Sequence, residues 1–523
     1  MPAHATSFRR RPEPQPSWGW WWLEAAGAAI LVALPLLWMN LTPDRQTHYH
    51  ELLPMNSVYQ GLLIDFVVVL LVCGVVFQLL QRWDPRCRTL VWIVVAGLLA
   101  VRIGRTLVVA TWLSPLSDDS VWIFLAVTVA GLLLWTLRRP WYRGTTAGFR
   151  WTLVLVGFSL FWVLPELGVM AFHREPHEAS GFTRQVAGPP QRRIIWLLFD
   201  EESQDQLFDH RQPGVDFPNF DALARTSVSF SNVQPQGYFT EEVIPSLLEG
   251  ENIIHERSDL DGRLSVTTRE DPHWKLYPDN RSLFADAQRE GWSTGLVGWY
   301  NPYCRTFARE LDHCFWTLSS PLPGRYQPDA SALQNAFAPV ARSVLRLFGR
   351  RIHDPPPWQN HTQDYEAIMT HARAEIAGDQ IGFLLLHLPV PHPGGMYNRR
   401  THRIGADGSY LDNMVLADLT LGELLGEINH SGMADRTTII VSSDHSWRVA
   451  LWRPTTEWRP EDTIVSGGRF DPRPVLMIRF PGERTGTTIS RPVPMMAMHG
   501  MIQEFLAGKI ANAQQLSAWV GQQ

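Results

Sequence analysis

Charge of one sign is what this chain of 523 residues lacks: 46 Lys and Arg stand against 51 Asp and Glu, for a formal net charge of −5. Without bulk basic character or a local basic patch, nucleic acid is excluded as the expected partner. Cysteine is scarce too, with four in all. None falls in the C-x2-C or H-x3-H spacing of a zinc module. No internal repeat or low-complexity tract is evident, which excludes a repeat array. What the chain has is tryptophan, 23 residues of it, and a hydrophobic share of 45%, high for a soluble enzyme. Its length is enough for at least two folding units, one of which could bury a large α/β core.

Five long apolar stretches account for that hydrophobic share: 19–41, 57–81, 88–113, 120–137 and 149–172. Each has about the length needed to cross a hydrocarbon core of ~30 Å as a helix. The first follows Arg9, Arg10 and Arg11, but it is long and carries Trp18, Trp20, Trp21 and Trp22. It lacks a clear small-residue cleavage site, so it reads as a retained anchor rather than a signal peptide. Arginines mark one side: Arg9–Arg11 before the first stretch, Arg82, Arg86 and Arg88 before the third, and Arg138, Arg139, Arg143 and Arg150 before the fifth. The positive-inside rule then expects residues 1–172 to form a five-span domain in the inner (cytoplasmic) membrane. Everything past His173 falls on the periplasmic or extracellular face. Asp65, Arg102, Arg105 and Glu166 lie within the spans. They read first as an ion cluster that orders the bundle, and second as a place where Arg102 and Arg105, one helical turn apart, hold a lipid phosphate.

Residues 173–192, polar and rich in Gly, Pro and His, read as a linker. From Arg193 to Gln523 the texture is that of one catalytic domain. Short apolar runs at 195–199, 226–230, 293–299, 382–386, 437–441 and 475–480 read as strands. Helical patterns fill 218–225, 280–290, 330–348, 364–377, 411–429 and 497–507. Such alternation predicts a mostly parallel sheet with helices on both faces, and ligands at the carboxyl ends of its strands. Asp200, His387 and Asp444 each follow a strand of this kind. In an oxidising compartment Cys304 and Cys314 read as a disulfide.

The chemistry gathers on Tyr238 to Gly250, Y-F-T-E-E-V-I-P-S-L-L-E-G. Thr240 has the look of a helix cap. Pro245 lacks the N–H that a helix begun at Thr240 wants, so the regular helix is expected to start near Pro245, with Thr240 on the bend before it. A threonine hydroxyl is a poor nucleophile unless a base or a metal lowers its pKa. Asp200, with Glu201 beside it, and the pair Asp444-His445 supply carboxylates and an imidazole. That ligand set suits zinc or manganese better than calcium or magnesium. His387 and His392, in L-L-H-L-P-V-P-H-P-G-G, and His499, in M-A-M-H-G, are candidates to touch the substrate. His387 and His392 could instead protonate a leaving group or hold a second metal. The bland alternative for each is a loop-stabilising histidine.

The order of these motifs resembles the alkaline phosphatase superfamily, in its sulfatase-like membrane branch of phosphoethanolamine transferases and lipoteichoic acid synthases. R-I-I-W-L-L-F-D-E looks like the first strand with its metal carboxylate. P-N-F-D-A-L-A-R-T-S-V-S-F-S-N looks like the stretch that follows it, and T-E-E-V-I-P-S-L-L-E-G like the nucleophile motif. H-L-P-V-P-H-P is similar to the histidine loop and T-I-I-V-S-S-D-H-S to the S-D-H-G metal motif. The resemblance covers about 193–508. It implies metal ligation by Asp200, or Glu201 in its place, with Thr240, Asp444 and His445. No Cys or Ser stands in the C-x-P-S-R context from which formylglycine is made, Ser446 replaces the motif's glycine, and the histidine loop is longer than H-x-P-H. The resemblance therefore implies a phosphotransferase that moves a phosphoethanolamine or phosphoglycerol headgroup from a phospholipid to an envelope glycan or glycolipid through a phospho-threonine. Water as acceptor would make it a phosphodiesterase or sulfatase-like hydrolase. A catalytically silent, envelope-organising module is the reading from another class.

Overall fold

The computed structural model describes residues 18–41, 49–50, 55–81, 142–173, 181–186, 188–258, 263–277, 280–319, 357–378 and 380–522. They fall into two compact units, one running to His173 and one from Arg174 onward that also takes in Tyr49 and His50.

In the first unit the described helices are Trp18–Leu41, Met55–Gln81, Tyr142–Gly157 and Leu160–Phe172. Two stretches, Met55–Leu79 and Arg150–Phe172, are long and apolar enough to cross a membrane, while Trp20–Leu34 forms a shorter apolar helix. Large apolar side chains such as Leu71, Leu155, Trp162 and Phe172 stand on its outside. The first helix and the Tyr142–Gly157 helix approach through glycine. A Cβ on Gly27 would meet Leu153 O at 2.0 Å, and one on Gly157 would meet Leu23 O at 2.1 Å. Small residues permit this backbone approach, and Arg150 donates to Glu24 at 2.9 Å beside it. Among the described residues two helices thus have the length and composition of a span, and the expectation of five spans is not supported. The third and fourth stretches, with Arg102 and Arg105, lie outside the described residues.

The second unit is built on a nine-stranded sheet. Its strands run in the order Gly181–Thr183, His313–Thr317, Thr294–Trp299, Phe383–Pro391, Arg193–Asp200, Thr437–Ser443, Leu476–Arg479, Val228–Phe230 and Thr487–Ile489. The five strands from His313–Thr317 to Thr437–Ser443 are mutually parallel. Antiparallel pairings then bring in Gly181–Thr183 at one side and Leu476–Arg479 and Val228–Phe230 at the other. The sheet is therefore mixed but mostly parallel, as expected: only Gly181–Thr183 and Leu476–Arg479 run against the other seven strands. For Leu476–Arg479 the cause is the connection after Ser443, which leaves the carboxyl end of its strand and re-enters at that same end. A return of that kind can only make an antiparallel neighbour. All eight residues of Arg193–Asp200 are buried, as the central position of R-I-I-W-L-L-F-D demands. A three-stranded sheet of Ile253–Ser258, Leu264–Thr268 and Lys275–Leu276 was not legible in the sequence, and the helix expected over 330–348 lies outside the described residues.

The nucleophile-motif helix departs from expectation. It runs Thr240–Glu249 with Pro245 inside it, behind an extended Phe239 (φ −127°, ψ 133°). A proline this far along costs one i→i−4 bond, but its fixed φ is helical. Burial of Val243, Ile244, Leu247 and Leu248 holds the turn regardless. Gly250 closes the helix at φ +71°, the left-handed conformation that suits glycine.

Candidate active site

Asp200 ends its strand and Asp444 follows the parallel neighbour, whose Ser443 pairs with Phe199. That register puts the two carboxylates side by side at the carboxyl edge. Thr240 enters from the first turn of its helix. Its Oγ1 donates to Asp444 Oδ2 at 2.9 Å, and stands 3.3 Å from Asp200 Oδ2 and 3.3 Å from His445 Nε2. Backbone N–H groups of Glu201 and His445 donate to Asp444 Oδ1 at 3.1 and 2.8 Å, which fixes that carboxylate. His445 Nδ1 faces the Ser446 carbonyl at 3.2 Å. A carbonyl can only accept, so Nδ1 carries the hydrogen and the Nε2 lone pair points into the cluster.

These groups lie in the interior: Asp200, Asp444 and His445 are 0% exposed and Thr240 4%. Burial raises the pKa of Asp200 well above the carboxylate range, with Asp444 and Glu201 pushing the same way. Burial likewise raises Asp444. It takes His445 down to about 3, with Arg448 adding to the effect. Two crowded carboxylates, a neutral imidazole and a hydroxyl are thus short of positive charge. Asp200 Oδ1 is buried without a hydrogen-bond partner, and donor atoms of Asp200, Asp444 and His445 lie within 4.8 Å of one another. A divalent cation fits this set, for it would supply the charge and occupy the orphaned oxygen.

The other expected residues divide. His387 is fully buried; its Nδ1 meets Tyr303 Oη at 2.8 Å and its Nε2 stands 3.4 Å from Asp200 Oδ2. It sits behind the carboxylate, and burial lowers its pKa to about 4. His392 stands at the edge, its ring 4.9 Å from both Trp299 and Trp452. Its Nδ1 donates to Pro393 O at 2.8 Å, which leaves Nε2 as an acceptor. Burial, with His361 and Arg448, keeps it neutral by lowering its pKa well below the usual value. His499 is not brought to the cluster: its Nδ1 donates to Leu247 O at 2.9 Å, near the far end of the Thr240 helix, which corrects the expectation that it touches the substrate. Cys304 and Cys314 are joined in a disulfide.

Glu201 does not share the cluster that Asp200 joins. Its backbone is left-handed (φ +65°). Its carboxylate accepts from Arg448 Nε at 2.7 Å, from Arg448 Nη2, and from Trp452 Nε1 at 2.9 Å. Donor atoms of Asp200, Glu201 and His392 also come together as a possible cation group, but Glu201 already has its counter-ion.

Sequence reasoning missed Arg448 and the run Trp299-Tyr300-Asn301-Pro302-Tyr303. Asn301 Nδ2 donates to Thr240 O at 3.3 Å, Trp299 packs on His392, and Tyr303 meets His387. The signal was available. Trp299 ends a strand at the same carboxyl edge, so the rule that selected Asp200 reaches this loop too.

The α/β sheet thus presents paired carboxylates, an imidazole and a hydroxyl together at one carboxyl edge. A match to the sulfatase family spans residues 192–463, more than half of the chain. The chain belongs to the sulfatase family, whose enzymes use a divalent metal. Similar solved structures include the PsFucS1 sulfatase from Pseudoalteromonas sp., 16% identical, with 61% of this chain and 68% of that chain covered and a TM-score of 0.40. The phosphonate monoester hydrolase of Silicibacter pomeroyi is 14% identical, with 61% and 73% covered and a TM-score of 0.35. Murine ectonucleotide pyrophosphatase/phosphodiesterase 5, solved with AMP, is 12% identical, with 62% and 96% covered and a TM-score of 0.34. No curated protein matches the chain.

Proposed function

We propose that this member of the sulfatase family is a membrane-bound phosphotransferase. It moves a phosphoethanolamine or phosphoglycerol headgroup from a phospholipid to an envelope glycan or glycolipid. In this reading residues 1–172 cross the inner membrane five times, and the domain from Arg193 works on its outer face. One observation carries it: the hydroxyl at the centre of the cluster belongs to a threonine, 2.9 Å from Asp444 Oδ2. Threonine cannot become the aldehyde that sulfate-ester cleavage in this family uses, whereas its alkoxide is competent to attack phosphorus.

Asp200, Asp444, His445 and Thr240 would hold the cation, zinc or manganese by their chemistry. When bound, it supplies the positive charge that acidifies a hydroxyl and neutralises phosphoryl oxygens. Thr240 Oγ1 forms a bond to phosphorus as the P–O bond to diacylglycerol breaks. The threonine proton, shared with Asp444, ends on the departing diacylglycerol oxygen. His392 Nε2 then takes the proton of the acceptor hydroxyl, whose oxygen attacks phosphorus as the P–O bond to Thr240 breaks, and that proton is passed on to Thr240 Oγ1, which restores both groups. His387 steadies Asp200 from behind.

Intact-mass measurement of the protein after expression, with peptide mapping and a headgroup-labelled lipid, tests this. A phosphoethanolamine or phosphoglycerol adduct on Thr240, with label passing to a glycan, is the expected outcome. Label released as free headgroup would identify a hydrolase. Purified protein with neither metal nor adduct would support the silent module.

A further inference from the structure

The proposed reaction needs something to grip the anionic group being transferred, and the cluster of acids around Thr240 cannot do so unaided. Arg448 is the cationic side chain whose field acts on Asp200, Asp444, His392 and His445 alike. It follows Asp444 by four residues, on the connection that stays at the carboxyl edge of the sheet. Its side chain is 12% exposed.

The guanidinium is held on two sides. Its Nε and Nη2 donate to Glu201, and its Nη1 donates to the carbonyl of Tyr238 at 3.2 Å. Its carbon lies 5.7 Å from the centre of the Phe239 ring. Arg448 is thus laid along the two residues that lead into Thr240. An arginine carries five N–H donors in a planar fork. Three are used here, which leaves one on each terminal nitrogen, a pair suited to two oxygens of a phosphate. Glu201 fixes the fork through a carboxylate that Trp452 Nε1 also donates to. Trp452 in turn packs on His392 at 4.9 Å. Formal charge agrees. Asp200, Glu201 and Asp444 contribute three negative charges, and Arg448 with a divalent cation contributes three positive ones. An incoming phosphodiester anion can then enter without facing an uncompensated carboxylate.

We propose that Arg448 binds the non-bridging oxygens of the transferred phosphoryl group, and that Glu201 is the positioning residue that aims Arg448 rather than a metal ligand. This rests on the reading of the site as one that takes a phosphoryl ester. The test uses full-length protein in detergent, loaded with manganese or zinc, with inorganic phosphate as the probe. Metal content is measured by elemental analysis and phosphate affinity by calorimetry. Arg448→Ala should keep the metal content of the parent and weaken phosphate at least tenfold. Arg448→Lys, which keeps charge but loses the fork, should fall between the two. Glu201→Gln should keep the metal and weaken phosphate severalfold.

Loss of metal in Glu201→Gln, with unchanged phosphate affinity in Arg448→Ala, would overturn the inference. It would make Glu201 a ligand and Arg448 its counter-ion. Should Arg448→Ala fail to fold, Arg448→Lys with phosphate affinity equal to the parent gives the same refutation. Parent protein that binds metal but no phosphate would instead count against the phosphoryl-ester reading itself.

Discussion

Asp200 and Glu201 are adjacent in the chain, yet their surroundings are opposite. Asp200 faces another carboxylate across a threonine hydroxyl and keeps one oxygen without a partner. Glu201 is met by a guanidinium and an indole N–H. The first environment is short of charge and the second is balanced. An unmatched buried carboxylate either keeps its proton or is completed by a ligand. A matched pair of the same burial holds a side chain in place. The lesson is that a buried acid is not a metal ligand by type; its partners decide.

The sharpest way to break this comparison is at the hydroxyl that Asp200 shares. Thr240→Ala should lower transfer by ~10³-fold or more while the protein still folds and inserts, because a nucleophile has no substitute. Normal turnover or a surviving adduct elsewhere would end the threonine assignment. Next comes His392→Gln. Loss of a proton acceptor should slow the step to the glycan by ~10²-fold and let the phospho-threonine accumulate in a burst experiment. A burst that disappears would place His392 in the first step instead.

Asp200→Asn separates metal from fold. It should abolish stoichiometric metal binding, yet the metal-free variant should melt a few degrees above metal-free parent protein, since one of two like buried charges is gone. The pH dependence has a defined sign. Asp200 has a raised native pKa, so the native state holds its proton longer than the unfolded one. Stability of the metal-free parent should therefore fall as pH climbs from the unfolded carboxylate value of about 3.9 towards the raised one. Loading with metal should remove that slope, as thermal melts across pH would report.

The smallest effect lies away from the site. Glu249 is buried, both its oxygens lack partners, and burial with Glu310 and Glu251 pushes it up to about 9. Glu249→Gln should raise the melting temperature by ~2–4 °C at pH 8. The gain should vanish near pH 4, where folded and unfolded states are both protonated. A pH-independent change would point to packing instead.

Asp200, Thr240, Asp444 and His445 were legible because each sits where a local pattern ends: an apolar run that stops at an acid, or a hydroxyl before an apolar helix. Glu201 and Arg448 were not, because their pairing spans 247 residues and neither residue has a local signature. His499 misled for the converse reason. Its turn looks like a site, while its ring is spent on the end of the Thr240–Glu249 helix. The helix start was misjudged because Pro245 was weighed without the burial of its neighbours.

The sequence by itself determined the chemistry on offer. It provides a threonine rather than a formylglycine precursor, carboxylates and imidazoles at strand ends, and apolar stretches of bilayer length. Side-chain type is a local property. Tertiary structure decided which of two neighbouring acids meets the threonine. The register with Thr437–Ser443 aims Asp200 at Asp444, and the left-handed turn at Glu201 sends the other acid to Arg448.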